Sequence, residues 1–153
     1  MQRDISLVTL KRTKQIKFDD KTEYDGEMAG DLPNGVGKAK YADGTEYVGT
    51  WVNGLFHGSG KLQIPSKQSG EMQYEGEFLV GKEHGLGVLV LKGLGMRYQG
   101  EFKDGERNGC GVEARLDGRE TYLGQFKNGL KHGFGVIRRP TMREGQVVVE
   151  KWE

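Results

Sequence analysis

The chain has 153 residues and a formal net charge of +1, and 29% of its residues are charged. This near-neutral balance argues against general nucleic-acid binding, and no run approaches the ~18 apolar residues that span a membrane. The single cysteine, Cys110, excludes an intramolecular disulfide and a CxxC metal site and fits a reducing, intracellular compartment such as the cytoplasm. Glycine is the outlier, with 26 residues against 3 prolines.

The N-terminal segment, residues 1–23, is predicted to be a capping hairpin. Its early charges do not fit the continuous apolar core of a signal peptide. Residues 17–24 (KFDDKTEY) have the same pattern as residues 40–47 (KYADGTEY), so a degraded copy at Ile5–Phe18 would precede the first full repeat. A basic cluster in this region consists of Lys11, Arg12, Lys14 and Lys17.

Five tandem copies follow, each marked by a tyrosine two residues before a glycine. With this tyrosine as position 1, glycine stands at positions 3, 12 and 14, and a large side chain stands at position 5. Position 8 is glycine except in the first copy, which has Asp31, and position 11 is His or Asn. Because strand side chains alternate, the tyrosine, the first glycine and the large residue share one face of a half-buried strand. The tyrosines are Tyr24, Tyr47, Tyr74, Tyr98 and Tyr122.

Each copy is predicted to form one antiparallel hairpin. We place its turn at positions 8 to 12, because glycine and asparagine tolerate positive φ, and we start the second strand at position 14, as in Gly60–Ile64. Asp43-Gly44 and Asp117-Gly118 mark turns into the next copy. The glycine at position 3 would let aromatic rings of neighbouring strands lie against the backbone.

These elements predict an all-β fold: an elongated, twisted, single antiparallel sheet of tandem β-hairpins with open edges. About twelve or thirteen strands would make a ribbon ~55–60 Å long. We expect one domain over residues 1–153, with the repeats in 24–146 and a capping strand in 147–153. That last strand keeps an aromatic at Trp152 but has Glu150 where glycine belongs.

The residues that could carry chemistry recur at repeat positions, which favours structural roles. His57, His84 and His132 all occupy position 11 of separate hairpins, so they should lie too far apart to share a metal ion. Cys110 fills a position that accepts several other side chains, and the Gly-x-Gly pairs open no helix that could bind phosphate. Carboxylates such as Glu75 and Glu77 fit a solvated face. We therefore predict no catalytic residue, no metal site and no cofactor.

Two departures from the repeat pattern suggest partner contacts. Residues 88–91 are apolar on both faces, so Val88 and Val90 need a cover. That cover is either the long connection Pro65–Gln73 or a partner protein, and the sequence leaves both open. A second basic cluster would suit anionic lipid or an acidic protein surface. It consists of Lys127, Lys131, Arg138, Arg139 and Arg143.

The segment Tyr47–Gly60, YVGTWVNGLFHGSG, resembles the MORN repeat (membrane occupation and recognition nexus). It matches Tyr-x-Gly-x-Trp-x-x-Gly-x-x-His-Gly-x-Gly at every defined position, and the other copies match most of them, over roughly Tyr24–Pro140. Similar proteins include ciliary radial-spoke head proteins, cytoskeletal scaffolds and adaptors. In the enzymes of the family the repeats are appended to a separate catalytic domain, which we do not expect in this chain.

The resemblance implies a non-enzymatic protein-interaction scaffold in a cilium or flagellum axoneme or in the cortical cytoskeleton, with cytoskeletal or axonemal protein partners. The alternative is a peripheral membrane module that binds anionic phospholipids through the basic clusters. Neither the partner nor the oligomeric state follows from the sequence. The aromatics predicted to line a partner-binding groove are Tyr47, Trp51, Tyr74, Phe78, Tyr98, Phe102, Tyr122 and Phe126.

Overall fold

The computed structural model describes residues 12–68, 70–139 and 146–152. It confirms the all-β prediction: the described chain forms one open antiparallel sheet of 12 strands, which lie side by side in chain order. A short 3-10 turn, Lys92–Leu94, is the helical element of this part of the chain. The strands are β1 (Arg12–Lys17), β2 (Glu23–Ala29), β3 (Leu32–Lys40), β4 (Glu46–Val52), β5 (Leu55–Ile64), β6 (Met72–Leu79), β7 (Lys82–Leu91), β8 (Met96–Lys103), β9 (Glu106–Arg115), β10 (Thr121–Lys127), β11 (Leu130–Arg139) and β12 (Gln146–Trp152).

Each full copy supplies a first strand and a second strand, joined by a two-residue turn at positions 7 and 8. In the second copy both turn residues, Asn53 and Gly54, have positive φ (50° and 79°), the pattern of the type I′ turn whose twist matches that of a hairpin. The next three copies repeat it, whereas the first copy has positive φ at Gly30 alone. The prediction of a turn at positions 8 to 12 is therefore wrong, since the second strand already begins at position 9, for example at Leu55.

The His/Asn-Gly signal marks a β-bulge instead of a turn. In the second hairpin Gly49 pairs with Gly60, yet the next pair is Trp51 with Phe56, so the second strand accommodates extra residues between them. Gly58 lies within this bulge and has a φ of 64°. The same register shift occurs in all five hairpins. Because bulges and tight turns both use glycine at positive φ, composition alone did not separate them.

The core of this single-layered sheet lies on the face that carries the tyrosines, here called the tyrosine face. Each tyrosine ring lies over the two paired glycines of its own hairpin: a Cβ added to Gly60 would be 2.6 Å from Cζ of Tyr47. Rings also meet edge to face between copies, as between Tyr74 and Phe102, whose centroids are 4.9 Å apart. The tyrosine ring that covers a glycine pair thus comes from the same hairpin as those glycines. Neighbouring copies contact each other through their aromatic rings.

Neighbouring hairpins are also joined at their turns. The turn glycine donates its N–H to the position 10 carbonyl of the preceding copy, as Gly81 does to Phe56 at 2.9 Å. The same bond occurs in the second, fourth and fifth copies. Because every backbone donor at such a tight turn needs an acceptor, these bonds hold successive hairpins in one repeating register.

The two outer strands extend the pattern of the repeats. In β12, Val148 pairs with Ile137 as Tyr47 pairs with Ala39, and the strand covers the segment predicted as the last one. In β1, Ile16 pairs with Tyr24. The predicted N-terminal hairpin is described only in its second half, because residues 5–11 lie outside the described part of the chain.

Candidate interaction surfaces

The predicted groove aromatics form the packed core of the tyrosine face. All eight are at most 5% exposed, and each tyrosine among them donates a hydrogen bond from its hydroxyl to a position 4 carbonyl, as Tyr74 does to Glu77 at 2.9 Å. Burial raises the pKa of Tyr47 and of Tyr98 to about 12 and also raises the pKa of Tyr74. Their contact with a partner stays a prediction, since these rings offer almost no surface in the isolated chain.

The side chains over this aromatic layer differ along the sheet. In the second copy, positions 10 and 16 hold Phe56 and Leu62, and the Phe56 ring stacks on Tyr47 with centroids 3.8 Å apart. Leu89 takes position 16 in the third copy and is half-buried against the same core. The N-terminal half of the tyrosine face is therefore apolar.

In the C-terminal half, an ion-pair network replaces these apolar side chains. Arg107 and Glu113 occupy positions 10 and 16 of the fourth copy and pair with each other, and Lys131 Nζ lies 3.2 Å from Glu113 Oε1. The network continues from Glu120 to Arg139, with 2.7 Å between the Oε2 and Nε atoms. The Arg107 guanidinium carbon also lies 5.4 Å from the Phe126 ring centroid, within cation–π range. The sequence analysis missed this network, although a comparison of positions 10 and 16 between copies contains the signal.

The face opposite the tyrosines, here called the opposite face, carries an alternating ladder of charges in its N-terminal half. Lys17 lies 2.9 Å from Glu23, Lys38 lies 2.9 Å from Glu46, and Lys61 lies 3.7 Å from Glu75. These side chains are largely exposed, so each pair contributes little to stability. This half is a solvated, largely charged surface, with the exposed valines Val36 and Val48 among the charges.

The C-terminal half of the opposite face carries apolar side chains among polar ones such as Gln99, Lys127 and Arg138. Register brings Val112 opposite Leu123 and Leu123 opposite Val136, so aliphatic side chains continue across three neighbouring strands. A shallow depression of about 600 Å³ lies beside them, lined in part by Leu86, Val88 and Val112. Several of these side chains are widely exposed, with 64% for Leu86 and 58% for Leu123. We call this set the apolar surface, and it consists of Leu86, Val88, Val90, Val112, Leu123, Phe134 and Val136.

The two residues predicted to need a cover, Val88 and Val90, are half-buried. The connection before β6 spans residues 65–71, shorter than predicted, and it contacts the β7–β8 turn near the strand ends. The Lys92 N–H donates to the Glu71 carbonyl at 3.0 Å, and a Cβ added to Gly70 would lie 2.6 Å from the Gly93 nitrogen. These contacts tie the connection to the β7–β8 turn.

Position 4 carries side chains that cap the bulges, which corrects the assignment of Glu77 to a merely solvated face. Glu77 Oε1 accepts the Leu86 N–H at 3.1 Å, and Glu101 Oε1 accepts the Cys110 N–H at 2.8 Å. A Cβ on the bulge glycine Gly85 would lie 2.6 Å from Glu77 Oε2. The position 12 glycine therefore leaves room for the cap, whereas Glu75 remains an exposed ion-pair residue.

The second basic cluster is divided between the two faces. Lys131 and Arg139 lie on the tyrosine face and pair with Glu113 and Glu120, while Lys127 and Arg138 are exposed on the opposite face. Arg143 lies outside the described residues. Strand alternation thus separates residues that are close in sequence, and their contact with lipid or an acidic partner stays a prediction.

The remaining candidates are also dispersed. Within residues 12–68, 70–139 and 146–152, no group of three or more His, Cys, Asp and Glu side chains is arranged to hold a metal ion. Cys110 is a free, exposed thiol on the opposite face. Among those same residues, no helix has the length and apolar character needed to cross a membrane.

A single open sheet built from stacked hairpins, with its core formed by an aromatic ladder, defines a repeat protein of extended architecture. The family model for the MORN repeat matches five segments, residues 24–46, 47–69, 74–92, 98–118 and 122–141. The chain therefore belongs to the MORN-repeat family, whose repeats are non-catalytic modules for protein or membrane interaction. A search of curated proteins finds no match to the chain.

Proposed function

We propose that this chain is a non-enzymatic scaffold that binds a partner protein on the apolar surface. The observation that carries the proposal is the run of aliphatic side chains across β9, β10 and β11, where exposed Leu123 lies between half-buried Val112 and Val136. Exposed contiguous apolar surface favours association, because its burial contributes roughly 25 cal/mol per Å². Charged side chains at the rim, including Glu75 and Arg97 beside the depression, would orient the partner.

A protein partner fits this geometry better than an anionic membrane. Lys131 and Arg139 already pair with carboxylates, and the exposed Lys127 and Arg138 share their face with aliphatic residues. Membrane attraction needs several basic residues on one surface, each contributing about 1 kcal/mol. Binding of anionic phospholipids is therefore the second function to test.

The cellular setting that we propose is an axoneme of a cilium or flagellum, or the cortical cytoskeleton, with cytoskeletal or axonemal partners. The support is the family membership together with an elongated sheet, which offers a long surface to filamentous structures. A tagged chain expressed in a ciliated cell line should co-localise with axonemal or cortical markers. A diffuse signal after detergent extraction would contradict this setting.

Leu123→Lys provides a sharp test of the apolar surface. The matched control is Val48→Lys, because Val48 also takes position 2 of its repeat, is 48% exposed and lies in the charged half of the same face. Proteins recovered with the wild-type chain from a ciliary extract should be lost with Leu123→Lys and retained with Val48→Lys. Equal recovery with both variants would contradict the proposed surface.

The lipid alternative is tested by sedimentation with vesicles that contain phosphatidylserine, at low and at physiological salt. We expect no co-sedimentation at physiological salt. Binding that is lost in a Lys127→Glu/Arg138→Glu variant would favour the membrane function over the scaffold.

A further inference from the structure

The register of β7 to β11 arranges the side chains of the opposite face in parallel rows across the strands. One row, here called the central row, consists of the successive partners Val88, Gln99, Val112, Leu123 and Val136. The next row, on the side away from the two-residue turns, consists of Val90, Arg97, Ala114, Thr121 and Arg138. The central row is therefore aliphatic except at Gln99, and two guanidinium groups lie along one side of it.

The basic side chains around the central row are not neutralised by acidic neighbours. Neither β10 nor β11 contains an aspartate or a glutamate. Arg97 Nη2 donates a hydrogen bond to Gln99 Oε1 at 2.9 Å, and within the described part of the chain no carboxylate pairs with Arg97, Lys127 or Arg138. Glu101 lies on the same face, but its carboxylate accepts an N–H of the bulge in its own hairpin. This part of the face thus offers positive charge beside aliphatic side chains.

We propose that the partner segment is an acidic amphipathic helix that lies across β7 to β11, with its apolar stripe on the central row and carboxylates facing Arg97 and Arg138. This inference rests on the scaffold function proposed above and names the chemistry of the partner. Complementary charges at the rim of an apolar contact select the partner, and like charges reject it. A segment with glutamate or aspartate beside its apolar stripe meets that requirement, whereas a basic segment does not.

Hydrogen bonding and spacing both favour a helix over an extended strand. A segment on the face of a sheet cannot pair with the sheet backbone, so an extended chain would lose water from N–H and C=O groups that a helix pairs internally. Neighbouring strands are ~4.8 Å apart, close to the spacing of about 4.5–6 Å between helix side chains three or four residues apart, whereas same-face side chains of a strand recur every 6.8 Å or so. The five strands span roughly 19 Å, which about 13 helical residues cover.

The same features disfavour a second copy and a bilayer as the occupant. In an isologous dimer this surface would meet itself, which brings Arg97, Lys127 and Arg138 of one copy against the same charges of the other. A bilayer presents a broad, flat layer of headgroups, whereas the surface contains a depression of about 600 Å³ lined in part by Leu86 and Val88. A side chain that protrudes from a helix fills such a depression.

Selection from a phage-displayed library of random peptides tests the proposal, with peptides of about 16 residues and the 153-residue chain as immobilised target. The recovered peptides should have a net negative charge and apolar residues at every third or fourth position. A synthetic copy of the most enriched peptide, here called the acidic peptide, should gain a helical circular dichroism signal when it binds. Its affinity, measured by fluorescence anisotropy, should fall as salt is raised, because exposed charge pairs are screened.

Charge reversal on the chain is the sharper measurement. Leu123→Lys should abolish binding of the acidic peptide, and Arg97→Glu/Arg138→Glu should weaken it about tenfold or more. The double variant should instead bind a version of the peptide in which lysine replaces each acidic residue, and this binding also shows that the variant is folded. The control is Lys67→Glu, the same charge change on an exposed lysine in the connection before β6, which should bind the acidic peptide like the wild type.

Several results would overturn the proposal. Neutral or basic peptides whose binding still requires Leu123 would refute the acidic partner and leave the scaffold function standing, and binding without a helical signal would refute the helix. Displacement of the acidic peptide by vesicles that contain phosphatidylserine would assign the surface to a membrane. A chain that selects no peptide would exclude this class of partner, and a dimer that Leu123→Lys dissociates would assign the surface to a second copy. The scaffold function is tested separately, by the proteins of the ciliary extract.

Discussion

In the third hairpin the ring of Tyr74 lies over Gly87, and a Cβ added to that glycine would fall 2.5 Å from Cε2 of the tyrosine. Gly87 pairs with Gly76, so one ring covers two residues without side chains. The tyrosine hydroxyl then reaches the Glu77 carbonyl at 2.9 Å. This arrangement allows a sheet with one layer to bury large side chains, because the backbone of the same hairpin forms the floor of the core.

Gly87→Ala should lower the free energy of unfolding by about 3 kcal/mol, because the added methyl group overlaps a packed ring. The control is Gly95→Ala, where φ is 62° but an added Cβ meets nothing within 4 Å. Backbone strain alone should cost about 1 kcal/mol there. Urea unfolding of both variants measures the difference, and equal losses would refute the overlap.

The buried tyrosines predict a loss of stability at alkaline pH. Burial raises the pKa of Tyr47 and Tyr98 to about 12, above the ordinary value of 10.0. The folded state therefore holds protons that the unfolded state releases first, so this contribution is complete below about pH 10 and falls as the pH rises through 12. Urea unfolding at about pH 8 and pH 11 should show the decline. Tyr98→Phe should reduce the loss of unfolding free energy between these two pH values. An unchanged loss would contradict its assignment to the buried tyrosines.

Glu113→Gln should destabilise the chain by about 2 to 3 kcal/mol. The substitution leaves Arg107 and Lys131 without their shared carboxylate at a site where the Glu113 side chain is 12% exposed. Arg107→Phe/Glu113→Leu copies the Phe56 and Leu62 of the second repeat and should lose less stability than Glu113→Gln, because apolar packing replaces the pair while Lys131 keeps Glu120 at 3.9 Å. Thermal unfolding of both variants checks this order, and a double variant less stable than Glu113→Gln would contradict it.

Glu77→Ala should cost about 1 kcal/mol, since the Leu86 N–H in the bulge loses its acceptor. Glu75 lies two residues away on the same strand and face, and its exposed pair with Lys61 predicts a loss of about 0.5 kcal/mol or less for Glu75→Ala. Chemical denaturation of the two variants distinguishes a cap from a surface charge. Equal losses of stability in Glu77→Ala and Glu75→Ala would contradict the capping role of Glu77.

The hairpin unit was predictable because its signals are local. The alternation of Tyr47, Gly49 and Trp51 assigns one face of a strand whatever the rest of the chain does. The turn was misplaced because glycine serves both a turn at Gly54 and a bulge at Gly58, and only the pairing of Trp51 with Phe56 separates the two. The repeat pattern indicates where glycine is needed, but not which special conformation it takes.

Partnerships between strands were not predictable from neighbours in sequence. Lys131 belongs to a basic run, yet its carboxylate partner Glu113 lies on the second strand of the preceding hairpin. The same holds for Glu77, whose role depends on the amide of Leu86 across the bulge. Both contacts exist because strand register brings residues from separate strands together.

The sequence by itself determined the repeating unit, the all-β class, the family and the face on which the aromatics lie, because these follow from periodicity within short segments. The tertiary structure decided how deeply the aromatics are buried, that the last basic run is split between two faces, and that the apolar surface extends from Leu86 to Val136. Those outcomes depend on pairing distances and on burial by neighbouring hairpins, which no local pattern specifies.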